Sequence, residues 1–324
     1  MTTIPAKNDL VIHFAHPAYQ FEACLEGRGV GLNTFQTWTR EDTAKRIGEG
    51  HVMVVTGFWN NGYIEAGTNL GFIQACGAGY NQFDLDGLAA RGIRFCNASG
   101  VNVNAVSDHA MALMLGIKRK IHLARDNQRA KHWRGMIADI PSREDELAGK
   151  TLVIYGMGAI GSRLARLAKA FDMTVIGVRR NIDAIKGLVD EAHAPDAFPE
   201  LLGRADFVAL TCPLTDETAN VMNAETFAAM RPDAHLINVA RGGCVDEPAL
   251  IEALRAGTIA GAGIDTTVVE PLDAASPLWD MDNIILTPHT AGETQMYEEN
   301  VVDILLENLE RLWRGETELH NQIV

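Results

Sequence analysis

The chain has 324 residues, 47% hydrophobic and 22% charged, a balance that suits about two globular domains with sizeable cores. With 42 acidic against 28 basic side chains the net charge is −14, which argues against nucleic acid or an anionic membrane surface as partner. No apolar run approaches the ~18 residues of a membrane span. The start, MTTIPAKNDLVIHF, lacks the long apolar core and small-residue cleavage site of a signal peptide, so the expectation is a cytoplasmic protein. Five scattered cysteines without a C-x-x-C fit reduced packing thiols, not a disulfide frame or a metal site.

In chain order, Leu10–Ala15, His51–Thr56, Phe72–Ala75 and Ile93–Cys96 read as short buried strands. Helix-like segments such as Arg40–Glu49 and Ile64–Asn69 lie between them, so the opening third is an α/β unit of its own. Asn104–Ile121 follows as a long apolar helix, with Val106, Ala110, Leu113, Met114 and Ile117 on one stripe. A polar, basic continuation runs over Ala124–Arg134, and a loop over Gly135–Ala148.

Thr151–Tyr155 then runs into Gly156, Met157, Gly158, Ala159, Ile160 and Gly161, and the next segment turns helical. A strand, a G-x-G-x-x-G turn and a helix form a dinucleotide-binding fingerprint in its required context. Gly156 permits the turn, Gly158 lets backbone approach a pyrophosphate, and Gly161 lets helix and strand pack closely. The helix N-terminus offers unpaired N–H groups to the anion. An acid that binds the ribose hydroxyls is expected about 20 residues on, after the strand Thr174–Val178. Arg179 and Arg180 stand there instead. Two guanidiniums suit a 2′-phosphate, so NADP (NADPH) is the expected cofactor, with NAD as the alternative if both arginines face solvent.

Further short strands, Asp206–Thr211, His235–Ala240, Gly261–Thr266 and Asn283–Thr287, alternate with helical patterns at 224–230 and 247–256. A last helix is expected over Glu293–Trp313. The alternation predicts a doubly wound parallel sheet, whose ligands sit beyond the carboxyl ends of the strands. The polar residues there are Cys212 and Pro213, Arg241 after Val239 and Ala240, Asp265 and Glu270, and His289. A cation to hold a carboxylate, an imidazole to exchange a proton and a carboxylate to pair with it form a coherent set. Taken singly, each could instead be a cap, a solvated side chain or a turn residue.

At these residues the chain resembles the D-isomer-specific 2-hydroxyacid dehydrogenase family, which includes the glyoxylate/hydroxypyruvate reductases. INVARGGCVDEPALIEAL (237–254) resembles the segment with the substrate arginine, which falls on Arg241. GIDTTVVEPL (263–272) resembles the segment that places Asp265 near the nicotinamide and Glu270 as catalytic partner. TPHTAGET (287–294) resembles the segment with the catalytic histidine, which falls on His289, and GAGYNQFD resembles the loop that binds the substrate carboxylate, which falls on Gly77, Ala78 and Gly79. The departures are Arg179 for the usual Asp, Thr266 and Thr267 for bulkier residues, and Ala75 and Cys76 where phosphite dehydrogenases carry a lysine. Glu270 is also not the glutamine of formate dehydrogenases, and no C-terminal regulatory extension is expected.

The resemblance implies a Rossmann nucleotide domain at 102–289, inserted into a smaller flavodoxin-like α/β substrate domain at 1–101 and 290–324, with the active site in the cleft. It implies a homodimer formed largely through the helix from Asn104, with Trp133 in the interface or at the partner's substrate pocket. The expected function is NADPH-dependent reduction of small 2-keto acids to D-2-hydroxy acids, with His289 as acid/base paired to Glu270 and Arg241 binding substrate. The alternatives are an NAD-dependent enzyme of other substrate range and a non-catalytic nucleotide-sensing or corepressor-like protein.

Overall fold

The computed structural model describes residues 4–324 and divides the chain into two compact units. Of the described residues, the first comprises 4–102 and 294–324, the second Val103–Glu293. Among the described residues, no helix is long and apolar enough to cross a membrane.

The first unit is built on five parallel strands, Val11–Ala15 (β1), Asn33–Thr37 (β2), Val52–Val55 (β3), Phe72–Ala75 (β4) and Arg94–Cys96 (β5), in the order β2-β1-β3-β4-β5. This is the flavodoxin-like order. All four residues of β3 and of β4 are buried, as both faces of a parallel sheet require. Val52 and Val54 face a core completed by Val301, Leu305 and Leu309 of the helix Tyr297–Trp313. Met53 and Val55 face the other, with Trp59, Phe83 and Phe95. The returning segment is tied in by polar bonds as well. Buried Asn308 donates to Gln74 Oε1 (3.1 Å) and accepts from His320 N (2.7 Å), and Val324 closes a bridge on Phe95 beside β5.

The second unit holds seven parallel strands, Thr151–Tyr155 (β6), Thr174–Val178 (β7), Glu191–His193 (β8), Phe207–Leu210 (β9), His235–Asn238 (β10), Gly261–Ile264 (β11) and Ile284–Leu286 (β12). Their order, β12-β11-β10-β9-β6-β7-β8, is the Rossmann arrangement. Side chains alternate by period two: Leu152 and Ile154 join Ala110, Met114 and Leu164 on one face, while Val153 and Tyr155 join Phe198, Phe227 and Leu250 on the other.

Three expectations shift. β2 and β8 were not foreseen: both are edge strands, NTFQT and EAH, with too little apolar surface to stand out. The long helix ends at Lys118 and restarts at Ile121–Arg129, with Lys120 in the left-handed region at φ 50°. The last helix begins at Tyr297, one turn later than the apolar pattern suggests.

Each unit carries a buried histidine whose burial opposes protonation. His13 bonds Thr37 through Nε2 (2.8 Å), and its Nδ1 is buried without a partner. His235 stacks on Phe207 and likewise has an unpartnered Nδ1. Burial first, then Arg46 for His13 and Lys118 for His235, lowers each from 6.5 to about 4. A group depressed on folding leaves stability intact above its unfolded value and removes it as pH falls towards the folded one. Thermal melts should therefore lose stability between pH 6.5 and about 4, by up to about 3 kcal/mol for each ring. His235→Leu should flatten that fall in the second unit; an unchanged acid slope in this variant would refute the assignment.

Candidate functional site

The order of the second sheet reverses between β6 and β9, so the crevice at their carboxyl ends is the topological switch point. Two segments line it, the glycine turn after β6 and Thr211–Pro213 after β9. Gly156 has φ 106°, and a Cβ there would lie 2.5 Å from Cys212 N, so only glycine fits. A Cβ at Gly161 would meet Gly156 O at 2.5 Å, which accounts for the tight seating of the helix Ala159–Ala170. Beside Gly158, by contrast, there is open space. The first bond of that helix runs from Ser162 N to Gly158 O, and the N–H groups of Ala159, Ile160 and Gly161 have no acceptor among the described residues. A bare anion-binding helix end with room for a phosphate results.

The adjoining cavity, about 360 Å³, extends to Arg179, Arg180, Cys212 and Pro213. Arg179 is half-buried and donates through Nη1 to Met157 O (2.8 Å), which fixes its guanidinium at the rim of the glycine turn. Arg180 is exposed, 3.9 Å from Glu217, a carboxylate the sequence reading passed over. Glu217 follows β9 by seven residues, so only the folded chain sets it opposite the arginines.

Beyond β10, β11 and β12 the chain builds a second constellation. Buried Asn238 clamps the turn after β10, donating to Arg241 O and accepting from Ala240 N, both at 3.0 Å. Val239 and Ala240 are buried while Arg241 is exposed, its Nη1 donating to Ala240 O (2.7 Å). Gly242 lies so close to the segment after β11 that a Cβ would come within 2.0 Å of Thr267 O. In that segment Glu270 accepts from Thr267 N through Oε1 (3.1 Å), and its Oε2 lies 2.7 Å from Nδ1 of His289. A carboxylate only accepts, so Nδ1 carries the proton and Nε2 is the nitrogen left for a ligand. A mostly apolar cavity of about 540 Å³ adjoins the pair, lined by Thr267, Leu272, Trp279 and Pro288 among others.

Asp265 is buried at the centre of a hydrogen-bond network that holds the histidine turn. Its carboxylate is 2% exposed and accepts from Thr287 Oγ1 (2.6 Å), Thr290 N (3.0 Å) and Ala291 N (2.9 Å). Its carbonyl accepts from His289 N (2.8 Å), and His289 sits in the left-handed region at φ 55°. His109 extends the network, its Nε2 2.9 Å from Thr287 Oγ1. His109 carried no local signal in the sequence, since Asn104, Ser107 and Asp108 make the start of the helix Val103–Lys118 polar around it.

In the first unit, the turn after β4 has its carbonyls tied down. Cys76 O accepts from Tyr297 Oη (2.8 Å), Gly77 O from Ala98 N (3.0 Å) and Ala78 O from Asn97 Nδ2 (2.9 Å). Among the described residues the N–H groups of Gly77, Ala78 and Gly79 have no acceptor, which leaves three backbone donors for an anion.

Residues 111–291 match the family model described as D-isomer specific 2-hydroxyacid dehydrogenase, NAD binding domain. The chain is 39% identical over 243 residues to the glyoxylate reductase of Pyrococcus furiosus, covering 74% of this chain and 71% of that protein. It is 34% identical over 281 residues to the D-3-phosphoglycerate dehydrogenase of Methanocaldococcus jannaschii, covering 86% of this chain and 52% of that one. Among solved structures, an acyclic imino acid reductase (Bsp5) in complex with NADPH and D-Arg superimposes with a TM-score of 0.81 at 25% identity, over 97% of this chain and 100% of that one. A two-unit parallel α/β fold, the glycine turn at the switch point and these matches agree: the chain belongs to the D-isomer specific 2-hydroxyacid dehydrogenase family and is an oxidoreductase of that class.

Proposed function

We propose that the protein is an NADPH-dependent reductase of small 2-keto acids, of the glyoxylate or hydroxypyruvate kind, yielding D-2-hydroxy acids. The observation that carries the chemistry is the 2.7 Å bond between His289 Nδ1 and Glu270, which leaves Nε2 free as a proton donor. The residues at the glycine turn fit a dinucleotide: open space at Gly158, unpaired N–H groups at Ala159, Ile160 and Gly161, and cations where a ribose-binding acid would stand. Gly156, Cys212, Pro213, Val239 and Ala240 would line its path, and Asp265 Oδ2, with a single donor, keeps acceptor capacity for the carboxamide. When bound, the reduced nicotinamide supplies the hydride.

The chain's own residues do the rest. The N–H groups of Gly77, Ala78 and Gly79 hold the substrate carboxylate, and Arg241 pairs with it and stabilises charge developing on the keto oxygen. His289 delivers its Nε2 proton to that oxygen. Glu270 orients the ring and stabilises its positive charge, and in the oxidative direction the neutral ring is the base.

Initial rates with glyoxylate, hydroxypyruvate, pyruvate and phenylpyruvate, each with NADPH and NADH, test the reading. NADPH should be preferred, and Arg179→Ala should raise its KM about 10- to 100-fold, the worth of a lost charge-assisted bond, while leaving NADH little affected. Preference for NADH would overturn the phosphate clamp and favour the NAD-dependent alternative, in which Glu217 turns from Arg180 to the ribose. His289→Asn should lower kcat about 10²- to 10⁴-fold with nucleotide affinity retained. A wild-type chain that binds nucleotide and turns over none of the pairs would instead be the non-catalytic sensor.

We further propose a homodimer acting in the cytoplasm, without nucleic-acid or membrane partner, where five unpaired thiols stay reduced. Trp133 and Met136 are almost fully exposed and Ile140 largely so, in the segment that follows the helix Ile121–Arg129. Side chains of this kind are costly to leave in water and mark a contact surface. Light scattering should give twice the 35.2 kDa chain mass, and Trp133→Lys should shift it towards monomer; a wild-type monomer would refute the dimer.

A further inference from the structure

Among the described residues one pair of sulfurs is in contact. Cys212, two residues past β9, forms part of the wall of the cavity at the glycine turn. Cys244 lies three residues after Arg241, in the short turn Gly242–Cys244. Both are buried, and their Sγ atoms stand 4.0 Å apart across 32 residues of chain. We propose that Cys212 and Cys244 form an oxidisable pair, which a hydroperoxide closes into a disulfide that disables the nucleotide cavity and the Arg241 turn.

A disulfide needs sulfurs about 2.05 Å apart, so closure draws the two segments together by about 2 Å, less whatever side-chain rotation absorbs. Neither segment has slack. The backbone of Cys212 is seated against Gly156, and Gly242 is pressed against Thr267 O. On the far side, Gly243 O accepts from Asn220 N (2.9 Å) and Cys244 O from Met222 N (3.1 Å). A shift at either sulfur is therefore passed to the wall at Cys212 and Pro213 or to the turn that carries Arg241. Interiors at this density do not deform freely.

The chemistry of the pair is distinct from that of the other thiols. Burial pushes Cys24 up to about 11, and Cys76 and Cys96 up to about 12, which leaves them inert. At Cys244 the hydrogen bond from Cys212 acts against burial, helped by Thr218 and the charge of Arg241, and holds the thiol below its ordinary value. Cys212 is raised by the same contact and by burial; one S–H···S bond joins the pair, so loss of a proton from either sulfur leaves a thiolate held by its neighbour.

The thiolate sulfur attacks one peroxide oxygen, the O–O bond breaks, and the leaving oxygen departs as water or alcohol with a proton from solvent. The attacking sulfur is then a sulfenic acid. The second thiol of the pair attacks that sulfur, the S–S bond forms, and hydroxide leaves as water with the second thiol's proton. Two thiols are oxidised by two electrons and one hydroperoxide is reduced. A dithiol reverses the change by exchange.

The loss of nucleotide binding rests on the reading of this cavity as the nucleotide site; formation of the disulfide does not. The test treats the reduced full chain with hydrogen peroxide, with and without saturating NADPH. Expected are an intact mass lower by two hydrogens and a non-reducing digest that joins Cys212 to Cys244. NADPH should slow the reaction by covering the wall. Activity should fall about 100-fold, the cost of a misplacement near 1 Å, and dithiothreitol should restore it. Cys244→Ala and Cys244→Ser should keep basal activity and lose the reversible response. Absence of the cross-link, oxygen addition without loss of hydrogens, or equal reversible inactivation of the Cys244 variants would overturn the proposal. A cross-link in a chain whose reduced form binds neither NADPH nor NADH would sink the nucleotide reading and leave the oxidisable pair standing.

Discussion

The chemistry at the carboxyl end of the second sheet depends on one buried carboxylate. Asp265 is 2% exposed, and a charge so placed is tolerable only when hydrogen bonds replace the water it has lost. Thr287 Oγ1 and the amides of Thr290 and Ala291 do so, and all three come from the segment that carries His289. Satisfying the carboxylate and shaping that segment are thus the same act. The left-handed backbone of His289, costly on its own for a non-glycine residue, is held by the bond from its amide to Asp265 O. With the backbone held, the imidazole reaches Glu270 through Nδ1 and presents Nε2 outward.

The same economy of parts appears at the switch point. Gly156 must be glycine because Cys212 is against it, and Gly161 because Gly156 O is against it. The closeness of β6, its helix and β9 leaves one open face, at Gly158, where N–H groups point out unpaired. Arg179 is then anchored to Met157 O within the same turn, so the cation and the helix end share one frame.

Covalent continuity has a cost here that tertiary structure meets with polar bonds. The first unit uses two stretches separated by the whole of the second. Its last helix contributes apolar side chains to the core, but Asn308, Gln74 and His320 fix its register, since a buried amide left unpaired is expensive. Tyr297, from the same helix, binds Cys76 O and so braces the turn at Gly77.

Much of this was legible in the sequence. The glycine spacing after an apolar strand, the missing acid at Arg179, and Arg241, Glu270 and His289 each placed just past a strand follow from local pattern, because the steric needs of a turn and the periodicity of a buried strand are written within a few residues. What was not legible depends on distant partners. β2 and β8 are strands because a neighbour offers hydrogen bonds at the sheet edge, not because their side chains are apolar. Glu217 faces Arg180, His109 meets Thr287, and Cys212 touches Cys244 only after chain segments 32 to 178 residues apart are folded together. The sequence by itself determined which groups could do chemistry and at which strand ends. Only the tertiary structure decided that Asp265 anchors the histidine turn, because hydrogen-bond partnership at long range is settled by packing and carries no local periodicity.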